Sequence, residues 1–203
     1  MPLSPTTKLQ AVNTMLSTIG SSPVNSLTGT NSADVAIAVQ ILDETALAVQ
    51  SEGWHWNTER EVPMSADPLT NEITVPTSAV LVDVDHPNNG DYDIIVRSGK
   101  LYDLKTRTTV FPASTVLKAT VIYALDWDDM PQAARYYVNI KAARIFQDRM
   151  VGSEKHHGFT LRDELLALGK LRDHDGETAD RSIFDNYDVF RIIARRYPQD
   201  FMG

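Results

Sequence analysis

Apolar residues recur at helical spacing in two segments near the start of the chain. The first predicted helix begins at Ser4, with Pro5 in its first turn, and ends at Gly20. Its apolar positions share one face: Leu9, Val12, Leu16 and Ile19. The second helix, which ends at Gly53, has a stripe of its own: Val35, Ala38, Val39, Leu42, Ala46 and Val49. The polar residues of this helix, including Gln50, are expected to face water.

Two tryptophans follow the second helix at alternate positions in the sequence Gly53-Trp54-His55-Trp56-Asn57. Extended backbone would point Trp54 and Trp56 to opposite faces. Tryptophans can stack on sugars or bases, but aromatic residues at helix exits are more often core or interface anchors. We therefore take Gly53, Trp54, Trp56 and Asn57 as a structural signature.

The hydrophobic period changes from helical to alternating after this point. Short predicted strands run through 73–76, 80–84, 92–96, 101–104 and 116–124, and Ser98-Gly99 forms a tight hairpin. Glu61 to Met64 contains Pro63 and is predicted to be a connector rather than a strand. These segments predict a small antiparallel β-module of four to six strands between the second and third helices.

Helical spacing returns near Asp128-Asp129, which would cap a third helix with Pro131 in its first turn. The residues expected to face inward are Ala133, Tyr137, Ile140 and Ala143. A basic flank is expected from Arg135, Lys141, Arg144 and Arg149. A fourth helix, which would fade near Asp173, is defined by Leu161, Leu165 and Leu168.

The predicted fold class is α+β, a four-helix bundle with an inserted antiparallel β-module and an extended C-terminal arm. Its divisions are residues 4–57 for helices one and two, 58–127 for the β-module, 128–173 for helices three and four, and 174–203 for the arm.

The predicted arm is unusually apolar for a terminal segment beyond a polar break at 173–177. Apolar side chains of this kind must be shielded from water, either by the chain itself or by a neighbouring subunit or partner. The candidate docking residues are Ile183, Phe184, Tyr187, Phe190, Ile193, Arg195, Arg196 and Tyr197. The arginines could instead be solvated, or could meet a phosphate or an acidic surface.

The net charge of the chain limits the classes of partner that it is expected to bind. The chain of 203 residues has 19 basic and 27 acidic residues, a net charge of −8, which argues against a surface that grips DNA phosphates. It contains no cysteine, so disulfides and thiolate metal sites are excluded. The start of the chain lacks the pattern of a signal peptide, and no apolar run approaches the roughly 20 residues of a membrane span.

The sequence offers little catalytic chemistry. Glu154, His156 and His157 lack further ligands at helical spacing, and an EF-hand loop counted from Asp173 fails at its glycine and glutamate positions. No nucleophile elbow, phosphate-binding loop or dinucleotide fingerprint is present. We predict no catalytic residue, no metal and no cofactor. Two carboxylates that converge in space would leave a small polysaccharide hydrolase, or an auxiliary hydrolase activity, as the alternative.

One family shares the order and spacing of many of these residues. The matching positions of the helical start are Ala11, Val12, Asn13, Ile19, Gly20, Pro23, Val24, Leu27, Gly29, Ala36, Leu42, Gly53, Trp54, Trp56, Asn57 and Glu59. Those of the hairpin and third helix are Arg97, Gly99, Leu101, Tyr102, Asp103, Met130, Pro131, Arg135, Ala142, Phe146, Arg149 and Gly152. Over residues 9 to 152 the chain resembles tail tubular protein A, the head-to-tail adaptor family of T7-like podovirus bacteriophages.

The resemblance implies a structural virion protein that joins the phage portal to the tail nozzle, extends the DNA channel and retains the genome until ejection. It implies a ring of twelve copies whose partners are the portal protein, a nozzle of the tail tubular protein B type and possible tail fibres. Double-stranded DNA would pass through without specific binding, and no membrane would be involved. The implied location is the virion tail, with the host cytoplasm during assembly. The family's C-terminal segment helps to fasten it to the portal and to adjacent subunits, which favours docking of the arm. The match weakens after Gly152.

Overall fold

The computed structural model describes residues 4–29, 32–84, 92–152 and 154–179, with side chains from residue 161 onwards in the last range. The helices are α1 (Lys8–Thr18), α2 (Ala33–Gln50), α3 (Gln132–Met150) and α4 (Glu154–Thr178). The strands are β1 (Thr58–Ser65), β2 (Ala79–Val84), β3 (Ile94–Arg97), β4 (Lys100–Asp103) and β5 (Val116–Tyr123). Short 3₁₀ turns at His55–Asn57 and Trp127–Asp129 join the helical and β parts.

Helix α3 is the centre of the helical part, because α1, α2 and α4 all pack against it. Its buried residues include the consecutive run Tyr137, Val138 and Asn139, as well as Phe146. Consecutive residues of a helix point about 100° apart, so α3 is covered around most of its circumference. A helix of a four-helix bundle instead buries one stripe. The predicted bundle is therefore wrong, although the mixed α+β class is right.

Helix α4 is rotated relative to the face that its leucines predicted, so that of these three only Leu168 packs against the helical core, where it is partly buried. Leu171 is fully buried and Ala167 is almost so, whereas Leu165 is 61% exposed and Leu161 is also exposed. Glu164 is turned inward because its carboxylate pairs with the Arg144 guanidinium of α3. The hydrogen bond to the Glu164 carboxylate raises the pKa of Arg144, whereas burial of the guanidinium tends to lower it. The helix also continues through residues 173–177, where the sequence predicted a break.

The first helix begins later than predicted. Thr7, rather than Ser4, is the N-cap: its hydroxyl accepts a hydrogen bond from the Gln10 backbone N–H at 3.2 Å, and the Gln10 side chain accepts one from the Thr7 N–H at 2.9 Å. This reciprocal capping box satisfies two donors that the helix itself cannot. Residues 4–7 are therefore free to lie against α3, where the Thr6 carbonyl accepts hydrogen bonds from Trp127 and Arg135.

The five strands form two sheets rather than one. β5 lies between β1 and β2 in an antiparallel sheet, and β3 pairs with β4 in a separate antiparallel hairpin. The segment around residues 73–76 runs beside the hairpin through an isolated bridge, with Leu101 N donating to Ile73 O at 2.9 Å. The predicted connector at Pro63 is part of β1, which tolerates a proline because it is an edge strand.

A second apolar cluster holds the two sheets together. Its most completely buried members are Ile73, Leu101, Phe111, Leu117, Ala119 and Val121. Asp103, at the end of β4, is 1% exposed beside this cluster. Its carboxylate accepts hydrogen bonds from the backbone N–H groups of Asp93, Lys105 and Thr106, and from the Thr106 hydroxyl. Burial tends to raise the pKa of Asp103, but these donors outweigh it and lower the pKa.

None of the described helices is both long enough and apolar enough to cross a membrane.

The orientation of α4 can be tested by a pair of alanine substitutions. Leu171→Ala should lower the free energy of unfolding by about 2–5 kcal/mol, because a fully buried leucine leaves a cavity. Leu165→Ala should change it by less than about 0.5 kcal/mol, because that side chain lies mostly in water. Urea unfolding of both variants measures the difference, and a larger loss for Leu165→Ala would contradict the orientation.

The hydrogen bonds of Asp103 predict a pH dependence. A carboxyl whose pKa is lowered by folding adds stability above its unfolded pKa of about 3.9, and that stability is lost as the pH falls through the folded pKa. Asp103→Asn should therefore cost about 1–3 kcal/mol at neutral pH, because its amide directs donors at the loop N–H groups. The wild-type advantage, measured by urea unfolding, should shrink as the solution is acidified below pH 3.9. An advantage that is constant with pH would show that the carboxylate charge is not the cause.

Candidate functional site

The signature segment lies where helix α2 ends and strand β1 begins. Gly53 follows α2 with φ of +76°, a left-handed conformation that favours glycine. A Cβ atom at this position would lie 2.6 Å from Cδ1 of Ile122 on strand β5. The glycine is thus required both by the backbone turn and by the close approach of the central strand.

Trp54 is buried and links this turn back to α2. Its indole Nε1–H donates to the Val49 carbonyl at 2.7 Å, which satisfies one of the last carbonyls of the helix. Its backbone N–H donates to Oδ1 of Asn57 at 2.9 Å. The ring packs in the helical core, so Trp54 is a core residue.

Asn57 connects the helical and β parts through a buried side chain. Its Nδ2 group donates to the carbonyls of Gln50 and Tyr123, each at 2.9 Å, while its Oδ1 accepts from Trp54. Gln50 reaches in the same direction: it accepts from Leu125 N at 2.7 Å and donates to Leu125 O at 3.2 Å. Gln50 is therefore buried, and the prediction that it faces water is wrong. We call Gln50, Gly53, Trp54 and Asn57 the junction.

Trp56 lies in the 3₁₀ turn rather than in extended backbone. It is half-buried and packs against the same helical core as Trp54, so the two tryptophans do not divide between a core face and a free face. Its Nε1 is buried and lacks a hydrogen-bond partner. The neighbouring His55 N–H donates to Asp175 Oδ1 at 2.7 Å, which joins the turn to the end of α4.

Two residues of the predicted basic flank have internal roles. Arg135 is buried and donates to the carbonyls of Met130, Thr6 and Asp128, which holds the N-terminal segment and the start of α3 together. Arg144 binds Glu164 and Asp148. Arg149 remains on the surface, with Glu44 at 3.9 Å. Asp148 lies four residues after Arg144 on the same helix, a spacing that favours an ion pair. Sequence spacing gives no sign of Glu164 or Thr6, because these partners lie in distant segments.

The remaining predicted site residues are placed as follows. All the candidate docking residues from Ile183 to Tyr197 lie outside the described residues, as do the side chains of Glu154, His156 and His157. Asp173, Asp175 and Glu177 lie on helix α4. Among the described residues, no group of histidine and carboxylate side chains has an arrangement that could hold a metal ion.

A cleft of about 270 Å³ opens between α2 and the segment that enters α3. Its walls combine the apolar residues Ala46, Leu47, Leu125, Trp127 and Met130 with Lys8, Asp43, Gln50 and Asp126. Asp43 is engaged by Lys8 at 2.7 Å. The cleft is thus lined by both apolar and polar groups, and the Lys8–Asp43 ion pair is among them.

In the part of the chain that the structure describes, buried polar groups hold separate segments together. The two most deeply buried carboxylates of this part, Asp103 and Glu164, are both engaged in internal hydrogen bonds. Comparison with known families identifies the class of protein. The family model of the tail tubular protein matches residues 9–181, and the chain belongs to this family of phage tail proteins.

A curated fungal protein is also similar to the chain over part of its length. The cytochrome P450 monooxygenase peniB of Penicillium patulum is 23% identical over 167 residues, which are 78% of this chain and 30% of that protein. The chain thus spans less than a third of that relative. At this identity and coverage, the similarity concerns one part of that protein and assigns no activity to this chain.

The close approach at Gly53 gives a test of the junction. Gly20 has the same φ of +76° but no atom near the position of a Cβ, so it is the matched control. Gly20→Ala should cost about 1 kcal/mol for the left-handed backbone alone. Gly53→Ala should cost more by about 1–3 kcal/mol, because its methyl group collides with Ile122. Denaturant unfolding of both variants measures the difference.

The collision can be relieved by a second substitution. Ile122→Val removes Cδ1 and should recover part of the loss in the Gly53→Ala background, while it lowers the stability of the wild-type chain. Equal losses at Gly20 and Gly53, or no recovery, would contradict the proposed contact.

Proposed function

We propose that this phage tail protein is the adaptor between the portal and the tail nozzle, and that it forms a ring of twelve copies around the DNA channel. The observation that carries the proposal is the family match over residues 9–181, which locates the protein in the virion tail. The specific adaptor position is supported by the resemblance at Gly53, Trp54, Trp56 and Asn57 and at the hairpin residues. Assembly would take place in the host cytoplasm, with the nozzle and possible tail fibres as further partners.

The charge of the chain suits a conduit for DNA. Twelve copies at −8 each would carry about −96 formal charges, and surfaces of like charge repel a polyanion rather than hold it. Two of the basic side chains, Arg135 and Arg144, are used inside the fold. DNA would therefore pass the ring without specific binding, first retained and then ejected. Lysines or arginines that dominate the lining of a determined ring would contradict this mechanism.

Docking on the portal is assigned to the C-terminal residues. Residues 183–201 contain many apolar side chains. Apolar segments that fold on a partner are shielded from water only when they are bound to it. The portal would supply this surface, so that rings form at the portal vertex rather than throughout the cell. Ile183, Phe184, Tyr187, Phe190, Ile193 and Tyr197 would provide the apolar contacts, and Arg195 and Arg196 would meet acidic groups.

Among the described residues, the two most buried carboxylates, Asp103 and Glu164, are bound within the fold, and Asp43 of the cleft is paired with Lys8. These acids therefore give the hydrolase alternative no support.

Electron microscopy of the purified chain with the portal of the same virus tests the adaptor role. A twelvefold collar beneath the portal is expected. Deletion of residues 183–203 should abolish the collar, while circular dichroism shows that the truncated chain keeps its helices and strands. Normal docking by the truncated chain would contradict the role of the C-terminal residues. A full chain that ignores the portal would contradict the adaptor function itself.

A further inference from the structure

The helical part and the β part, residues 58–123, have separate apolar cores. The helical core includes Leu42, Val138 and Phe146, and the core of the β part includes Leu101 and Leu117. In the described part of the chain, the helices pack mainly on one another and the strands on one another. Each part thus has the packing that it needs to keep its own shape, as separate structural units do.

The chain crosses between the two parts twice, and the crossings are neighbours. The first crossing runs through the turn at His55–Asn57 into β1, and the turn is held on the helical side because Trp56 packs against the helical core. The second crossing leaves β5 after Tyr123 and reaches the helical core at Trp127. The Asn57 side chain binds the Tyr123 carbonyl at 2.9 Å, so the crossings lie side by side. Neighbouring connections of this kind are where hinge motions take place.

The apolar contact across the junction involves a residue without a side chain. Ile122 of β5 lies so close to Gly53 that a Cβ atom there would be 2.6 Å from Cδ1 of the isoleucine. Ile122 is buried, yet it belongs to neither of the two apolar cores. Because glycine offers no side chain to interlock with, this contact permits a small rotation of one part against the other.

Two polar atoms at the first crossing are buried without a hydrogen-bond partner: Nε1 of Trp56 and Oγ1 of Thr58. They flank Asn57, at the point where the turn passes into β1. Buried polar atoms are nearly always paired, and each exception calls for a physical reason such as strain. A rotation at this point would change the surroundings of both atoms, so the described arrangement is not the best one for them.

The second crossing has room to move. The cleft of about 270 Å³ lies between residues 124–127 of this crossing and the α2 residues Ala46, Leu47 and Gln50. Gln50 reaches from one wall to the other and binds both backbone groups of Leu125. Its long side chain has three rotatable bonds, so it can keep hold of Leu125 over a small range of positions.

We propose that the β part turns as a rigid body about the first crossing. It moves between the open arrangement described above and a closed one, in which the second crossing approaches α2 and narrows the cleft. Gln50 is the tether that limits the movement, and the free chain populates both arrangements. In an assembly, the helical part would stay bound while the β part adjusts to its neighbours. The motion belongs to one chain and does not depend on the adaptor role.

Distances between spin labels test this motion, since the chain contains no cysteine of its own. Val116 is 56% exposed at the start of β5. It lies about 20 Å along the strand from the junction, so a turn of about 20° moves it by roughly 7 Å. Leu166 of α4, which is 59% exposed, marks the helical part. Pulsed electron paramagnetic resonance of the Val116→Cys/Leu166→Cys chain should give two distances that differ by several ångströms.

Label pairs within one part are the matched controls. Val116→Cys is combined with Val96→Cys of β3, and Leu166→Cys with Ile37→Cys of α2, so that each label of the test pair occurs in one control. Both control pairs should give a single distance. Labelled chains are diluted with unlabelled chains, which removes distances between copies.

Filling the cleft should hold the open arrangement. Ala46→Leu and Leu47→Trp each place a larger side chain at the wall of the cleft on α2, and each should remove one of the two distances. Ala48→Leu lies on the same helix but is exposed and outside the cleft, so both distances should remain. Circular dichroism checks that the variants fold. Leu47 is 49% exposed, so Leu47→Trp carries the test if Ala46→Leu fails to fold.

Three outcomes would overturn the proposal. A single distance between positions 116 and 166, as narrow as those of the controls, would show that the two parts form one rigid body. Two distances that persist in both filled variants, or that Ala48→Leu also alters, would show that the cleft does not close. Portal docking is measured separately, so a rigid chain that still forms the collar loses the hinge but keeps the adaptor role.

Discussion

The fold depends on how the buried backbone groups between helix α2 and strand β1 find hydrogen-bond partners. Asn57 supplies them: one side chain binds the end of the helix, the end of the central strand and the turn that joins them. Buried polar groups of the backbone are almost always paired, and the penalty for leaving them unpaired is large. The helical and β cores are therefore connected by a polar joint rather than by continued apolar packing.

Buried carbonyls are also paired by a side chain at the start of α3, where the chain returns from the β part to the helical part. Arg135 donates to three backbone carbonyls from two separate segments, the N-terminal segment and the turn before α3. A planar group with five donors suits several acceptors at once. Helix α3 can be covered on most sides because these polar side chains fix its start and its neighbours. It serves as the axis on which the other three helices are arranged.

Periodicity in the sequence predicted the four helices and most of the strands, since apolar spacing directly reflects local structure. It could not fix the exact orientation of α4. Leu161 and Leu165 are exposed and Leu168 is partly buried, whereas Ala167 and Leu171 are buried and Glu164 is paired with Arg144 of α3. A long-range ion pair of this kind has no local signal.

At the junction, too, the local sequence identifies the important residues but not the distant residues that they contact. Gly53, Trp54, Trp56 and Asn57 were recognised as a signature, but the role of Asn57 depends on Tyr123, and that of Gly53 on Ile122. Gln50 looked like a solvated helix residue because its partner, Leu125, is 75 positions away. The bundle was inferred from the number of helices, which says nothing about how they surround one another.

The outer strand of the larger sheet has a further consequence. In β1 the register shifts between Glu59 and Val62, Glu61 adopts a positive φ of 55°, and Pro63 follows without an N–H group. A bulge and a proline leave this edge a poor template for another strand. A second copy of the chain is thus hindered from extending the sheet along this edge, which is how amyloid-like fibres grow.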